Sequence, residues 1–159
     1  MKPIDILVDS DGTTFTHDFP EIGKDIGAAP VLRDLVAAGH LLIIFTMRSD
    51  RPKPSDQRLY LQEAVGWYHK NGIPLHGIQV NPTQHYWTTS PKAFGQLILD
   101  DICLGIPLIT WVQDPDSDHL FPATTHDPAL ILSNLPYHER PYVDWGNTRK
   151  LLTDRGILK

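Results

Sequence analysis

Sulfur is almost missing from this chain: of 159 residues only Cys103 is a cysteine. One thiol closes no internal disulfide, so the fold relies on its core and a reducing compartment is the expected setting. No histidine stands near Cys103 in the sequence, which makes core packing the expected role for it rather than nucleophilic chemistry. Long apolar runs are also missing. None reaches membrane-spanning length, and the first residues lack the basic-then-apolar layout of a secretory signal. Together these absences lead us to expect a cytoplasmic protein with no membrane partner. Positive charge is scarce, with 14 Lys and Arg against 19 Asp and Glu and a net charge of −5. That balance disfavours nonspecific nucleic-acid binding, and a phosphate ester would need a metal to offset the repulsion. The eight histidines include no i, i+4 pair, so a helical zinc site has no support. No internal repeat or low-complexity segment interrupts the chain.

What is present is an apolar fraction of 41%, enough to bury a real core in one domain spanning residues 1–159. The apolar run 4–8 reads as a buried strand. Residues 14–27 mix Thr, His, Phe, Pro and acids without helical period and read as a small flap over 13–28. Residues 28–38 place Val31, Leu32, Leu35 and Val36 at helical spacing, with Gly39 as a C-terminal stop. A second strand is expected at 41–45, a polar loop at 47–55, and a helix from Asp56 to about Asn71, closed by Gly72. Short strands follow at 78–80 and 97–99, with a loop at 81–91 between them, and a fifth is expected over 107–112. An amphipathic helix over 143–155 starts beside Asp144. Strands alternating with helices predict an α/β fold, a three-layer Rossmann-like domain around a central parallel sheet. Residues 113–142 are proline-rich and weakly patterned, and read as an excursion.

The chemistry lies at the strand ends. Asp9-Ser10-Asp11-Gly12-Thr13 directly follows the first strand, Thr46 the second, and Asp100-Asp101 the fourth, while Lys92 precedes the fourth. A parallel sheet brings its strand ends to one edge, where ligands of α/β proteins bind. Carboxylates gathered there repel one another unless a hard cation sits among them, and oxygen-only ligands suit Mg²⁺ better than zinc. A lysine and a hydroxyl beside such a site suit phosphoryl transfer.

On these residues the chain resembles the haloacid dehalogenase superfamily of phosphohydrolases. The match covers Ile4 to about Leu108: residues 6–13 are similar to motif I, 43–46 to motif II, Lys92 to motif III and 99–101 to motif IV. The resemblance implies a Mg²⁺-dependent phosphatase, with Asp9 as the nucleophile that forms an aspartyl-phosphate. Asp11 is then the acid–base, and Thr46 and Lys92 orient and neutralise the phosphoryl group. Mg²⁺ is then held by Asp9, the Asp11 carbonyl and Asp101, with Asp100 as a further ligand or behind it. Gly12, Thr13 and Arg48 are the implied substrate contacts, Arg48 gripping a distal phosphate or carboxylate. Asp11 favours phosphate esters over dehalogenation, which needs no proton donor for its leaving group. The gaps 13–28 and 47–91 leave no room for a large cap, so the chain resembles small cap-less bacterial and phage members.

The substrate class expected is a small phosphorylated metabolite, a sugar or nucleotide phosphate. A nucleic-acid end phosphatase and a non-catalytic phosphate-binding module on the same fold are the alternatives. His17 in the flap is a weaker candidate for leaving-group contact. Tyr86 and Trp87 are expected in the core, with stacking on a base or sugar as the functional alternative. The stretch 114–118 starts like a calcium loop but has His119 where that loop needs glycine and Thr125 where it needs glutamate, so it reads as a solvated acidic loop.

Overall fold

A computed structural model describes residues 2–126, 135–136 and 139–159. Part of the expected excursion, residues 127–134 and 137–138, lies outside the described residues. Strand β1 (Asp5–Val8) and strand β2 (Leu41–Ile44) form the middle of a parallel sheet. Ile6, Leu7 and Val8 are all buried, as are Leu42, Ile43 and Ile44. Continuous burial on both faces is the reason these runs are solidly aliphatic rather than alternating. Strands β3 (Gly77–Ile78) and β4 (Leu97–Leu99) complete the order β3-β2-β1-β4, and all pairings are parallel.

The register decides where the site forms. Val8 lies opposite Ile44 on one side and Leu99 on the other. The residues that follow each of them therefore leave the sheet at one edge. The chain runs β1 to β2 to β3 outward and then returns to β4 on the far side of β1. That reversal places a crevice between the carboxyl ends of β1 and β4, where open α/β sheets take their ligands.

Helix α1 (Ala28–Ala37) buries Val31, Leu32 and Leu35. It ends in a Schellman arrangement, with Gly39 N–H bonded to the Val36 carbonyl and His40 N–H to that of Leu35. Gly39 takes φ 93°, open to glycine at little cost. Helix α2 (Tyr60–Lys70) starts later than expected. Asp56 does not cap it, because its carboxylate accepts from Arg58 N–H and the Tyr60 hydroxyl. Asp50, reaching in from the preceding loop, accepts from the Leu61 and Gln62 N–H groups instead. Helices α1 and α2 and helix α3 (Trp145–Asp154) share one core with Ile6, Val8, Leu42 and Ile44. The opposite face, Leu7 and Ile43, packs on Ala93. There the third layer is an irregular segment with a 3-10 turn at Gln84–Tyr86. The result is a three-layer, Rossmann-like α/β domain around a central parallel sheet, with no large cap among the described residues.

Two expectations need correction. The third strand is Gly77–Ile78 rather than 78–80, because Gln79, whose N–H still donates to the Ile44 carbonyl, adopts φ 62° and turns the chain out of the sheet after it. The fifth strand, β5 (Leu108–Gln113), does not extend the parallel sheet. It pairs antiparallel with β6 (Leu120–Thr125) and β7 (Tyr142–Val143) in a second sheet of order β6-β5-β7. It pairs there instead, so β4 remains an edge among the described residues.

The second sheet braces the first crevice loop. Val143 N–H donates to the Gly12 carbonyl, and the buried Trp145 indole donates to the Thr13 carbonyl at 2.6 Å. Asp144 caps α3, accepting from Asn147 N–H at 3.0 Å. No helix of the described residues is long and apolar enough to cross a membrane.

Candidate functional site

Three of the sequence-predicted carboxylates meet. One oxygen from each of Asp9, Asp100 and Asp101 lies within 4.8 Å of the others, at the ends of β1 and β4. Asp101 is buried and its N–H is held by the Thr13 hydroxyl at 2.9 Å. Asp100 folds back to accept from Ile102 N–H at 3.0 Å. Burial pushes the Asp9 carboxyl up to about 8, and the charges of Asp100, Asp101 and Asp11 push the same way against a Ser10 N–H bond. Burial and Asp101 raise Asp100 to about 6. These acids are thus held together at a standing electrostatic cost that a divalent cation would relieve. The donor set, carboxylate oxygens alone, fits a hard cation such as Mg²⁺.

Asp11 stands apart from this cluster. Both its oxygens accept from Arg48, Oδ2 from Nε and Oδ1 from Nη2, each at 2.7 Å. Arg48 was expected to grip a substrate's distal anion; the structure buries it in the protein instead. Its remaining donors go to the Pro20 and Glu21 carbonyls, and its guanidinium lies over the rings of Phe15 and Phe19 at 5.4 and 5.2 Å. One side chain therefore joins three parts: the acid of the first loop, the loop after β2, and the flap. Buried Phe15 anchors that flap edge-on against Trp67 of α2 at 5.9 Å.

Gly12 and Thr13 are occupied internally. Gly12 N–H donates to the Phe15 carbonyl, and Thr13 holds Asp101 and Trp145. Gly12 also needs its φ of 79°, and a Cβ there would collide with the His17 imidazole and the Asp101 carboxylate. His17 is brought in from the flap, with Nε2 3.0 Å from Asp101 Oδ2. Thr46 is positioned at the edge, its hydroxyl accepting from Arg48 N–H at 3.3 Å. Lys92 is exposed, and its ammonium makes no hydrogen bond or ion pair among the described residues, while its carbonyl is fixed by Gln84.

Two further residues carry no linear signal. The Gln79 amide pairs with both backbone groups of Thr46, receiving from N–H at 3.0 Å and donating to the carbonyl at 2.5 Å, and it also donates to the Arg48 carbonyl. It continues the β2–β3 ladder with a side chain where the backbone has left it. Tyr68 of α2 is wholly buried beneath the site, and burial together with the Asp9 charge pushes its phenol up. Tyr86 and Trp87, expected in the core, are exposed, Tyr86 tilted against His85 and Trp87 edge-to-face with Phe94. Cys103 is half-buried at the margin of the core rather than inside it.

No protein family matches the sequence, and no curated protein is similar to it. Among solved structures, the chain is similar to a conserved protein from Bacteroides thetaiotaomicron, with a TM-score of 0.62 and 21% identity over 97% of this chain and 93% of that one. This likeness concerns the fold.

Proposed function

We propose that the chain is a Mg²⁺-dependent phosphomonoesterase of the haloacid dehalogenase type, acting on a small phosphorylated metabolite in the cytoplasm. The observation that carries this reading is the gathering of Asp9, Asp100 and Asp101 at the crevice between β1 and β4. Asp9, Asp101 and Asp100 would hold the cation. When bound, it supplies positive charge that keeps Asp9 ionised and offsets the charge of the phosphoryl oxygens.

In this scheme an Asp9 oxygen attacks phosphorus and the bond to the ester oxygen breaks, leaving an acyl phosphate on Asp9. Asp11, one oxygen released from Arg48 and protonated from solvent, gives that proton to the departing alkoxide and then takes one from the water that attacks phosphorus. The bond from phosphorus to Asp9 breaks and inorganic phosphate leaves. Arg48 fixes Asp11 in one orientation, so proton transfer requires one Asp11 oxygen to exchange an Arg48 N–H for the leaving group. Thr46, held by Gln79, contacts a phosphoryl oxygen. The test is phosphate release from a panel of phosphate esters, with and without Mg²⁺, beside Asp9→Asn. Turnover that needs the metal and disappears in the variant supports the reading; full turnover by Asp9→Asn would sink it.

A second reading is a metal- and phosphate-binding module without turnover. It is favoured by the lack of an ion pair from exposed Lys92 among the described residues and by the closed Asp11–Arg48 pair. Isothermal titration showing Mg²⁺-dependent phosphate binding, with no turnover on any ester, would put it first.

A further inference from the structure

The outer half of the β5–β6 hairpin has no partner within the described residues. Its last three cross-strand pairs are Trp111–Pro122, Val112–Phe121 and Gln113–Leu120, and all six residues are exposed. Paired residues share a face and successive pairs alternate. Val112 and Phe121 thus lie on one face, and Trp111, Pro122 and Leu120 on the other. A hairpin lying on its own domain hides one face. This one shows apolar side chains on both, with Leu120 62% exposed and Trp111 and Phe121 each 46% exposed. Such a patch marks an interaction surface.

The edge of the parallel sheet is the counterpart. β4 ends the order β3-β2-β1-β4, so no strand among the described residues covers its outer side. A groove of about 440 Å³ runs there, lined by Leu97, Leu99, Leu104, Ile106, Leu151 and Arg155 among others. Leu104 is 91% exposed. The groove shares Gly105 and Leu151 with a recess at the hairpin base that also holds Thr124, Lys150 and Asp154. Projecting hairpin and open groove therefore adjoin on one surface. A two-fold interface needs this, because the same patch must meet itself.

Charge selects the occupant. The hairpin turn carries Asp114, Asp116 and Asp118 with no basic residue among them. The groove and its recess present Arg155 and Lys150 against the single acid Asp154. We propose that the β5–β6 hairpin of one chain seats in the β4 groove of a second copy, and reciprocally, forming a closed two-fold dimer. Pro122 has no N–H to extend a ladder, so the hairpin docks through its side chains rather than as an added strand. This goes beyond the hydrolase reading and holds whether or not Asp9 is a nucleophile.

The test is sedimentation velocity of the whole chain over micromolar concentrations. The wild type is expected to be a dimer. Leu104→Asp in the groove and Phe121→Asp in the hairpin are each expected to weaken it at least ~30-fold, as for an apolar anchor at an interface centre. Circular dichroism checks that these exposed changes leave the fold intact. A charge swap keeps the idea testable should either misfold: Asp114→Lys with Asp118→Lys in one chain weakens self-association, and adding Lys150→Glu with Arg155→Glu in its partner restores it. A monomeric wild type would overturn the proposal, as would an open-ended polymer or a dimer indifferent to both apolar substitutions and to the swap.

Discussion

Asp9, Asp100 and Asp101 crowd the ends of β1 and β4 with no arginine or lysine paired to them among the described residues, only backbone N–H bonds to Asp9 and Asp100 and the His17 imidazole against Asp101. Asp11, two residues on from Asp9, has both oxygens taken by a buried arginine. The same residue type at the same sheet edge is thus left in conflict in one place and fully satisfied in the other. The satisfied place also ties the first loop to the flap. The conflicted place is where a ligand gains most by binding, because its arrival removes a penalty already built into the fold.

The contrast can be broken first by pH. The Asp9 carboxyl, raised from 3.8 to about 8, keeps its proton more tightly folded than unfolded. Its contribution to stability is therefore full below the unfolded value and is lost as pH rises through the folded one. The whole shift is worth about 6 kcal/mol, and the partial exposure of Asp9 reduces this to a few. Denaturant unfolding of chelator-treated protein is expected to show stability falling from about pH 4 to 8, with Mg²⁺ or Asp9→Asn flattening the slope. A flat profile without metal would mean that neither burial nor the neighbouring carboxylates disfavour the Asp9 charge.

The satisfied side is broken by Arg48→Ala, which strands a partly buried carboxylate and is expected to cost about 3–5 kcal/mol of unfolding free energy. Arg48→Lys should recover little, since an ammonium cannot make the two-pronged bond. Gln79→Ala, which unpairs both backbone groups of Thr46, is expected to cost about 1–3 kcal/mol, read from the same unfolding curves. The smallest effect sharpens the comparison from outside. Lys92→Ala should change stability by less than about 0.5 kcal/mol and turnover by a few-fold at most. A collapse of turnover would show that the segment carrying Lys92 moves to the carboxylates during the reaction.

The conflicted side was legible in the sequence and the satisfied side largely was not. Asp9, Asp100 and Asp101 directly follow aliphatic runs, and parallel pairing carries such residues to one edge whatever the loops do. Arg48 was visible as a polar residue after the second strand, but its partner depends on a flap whose path has no period. The Lys92 expectation rested on order along the chain, and among the described residues its ammonium forms no ion pair with the carboxylates. β5 was recognised as a strand, but its neighbour β7 lies far along the chain, and pairing at that separation leaves no local mark. Gln79 signals nothing until its φ and its amide contacts are seen.

The bonds from Val143 and Trp145 to the Gly12–Thr13 loop reach across a separation of 132 residues for the indole contact. Synthesis proceeds at roughly 5–20 residues per second, so the first loop waits on the order of ten seconds for the residues that brace it. During that interval β1 and α1 can collapse, but the carboxylate crevice has no fixed shape. The birth of the site is thereby tied to the end of translation of this domain, and a stalled chain carries its acids without the geometry to use them.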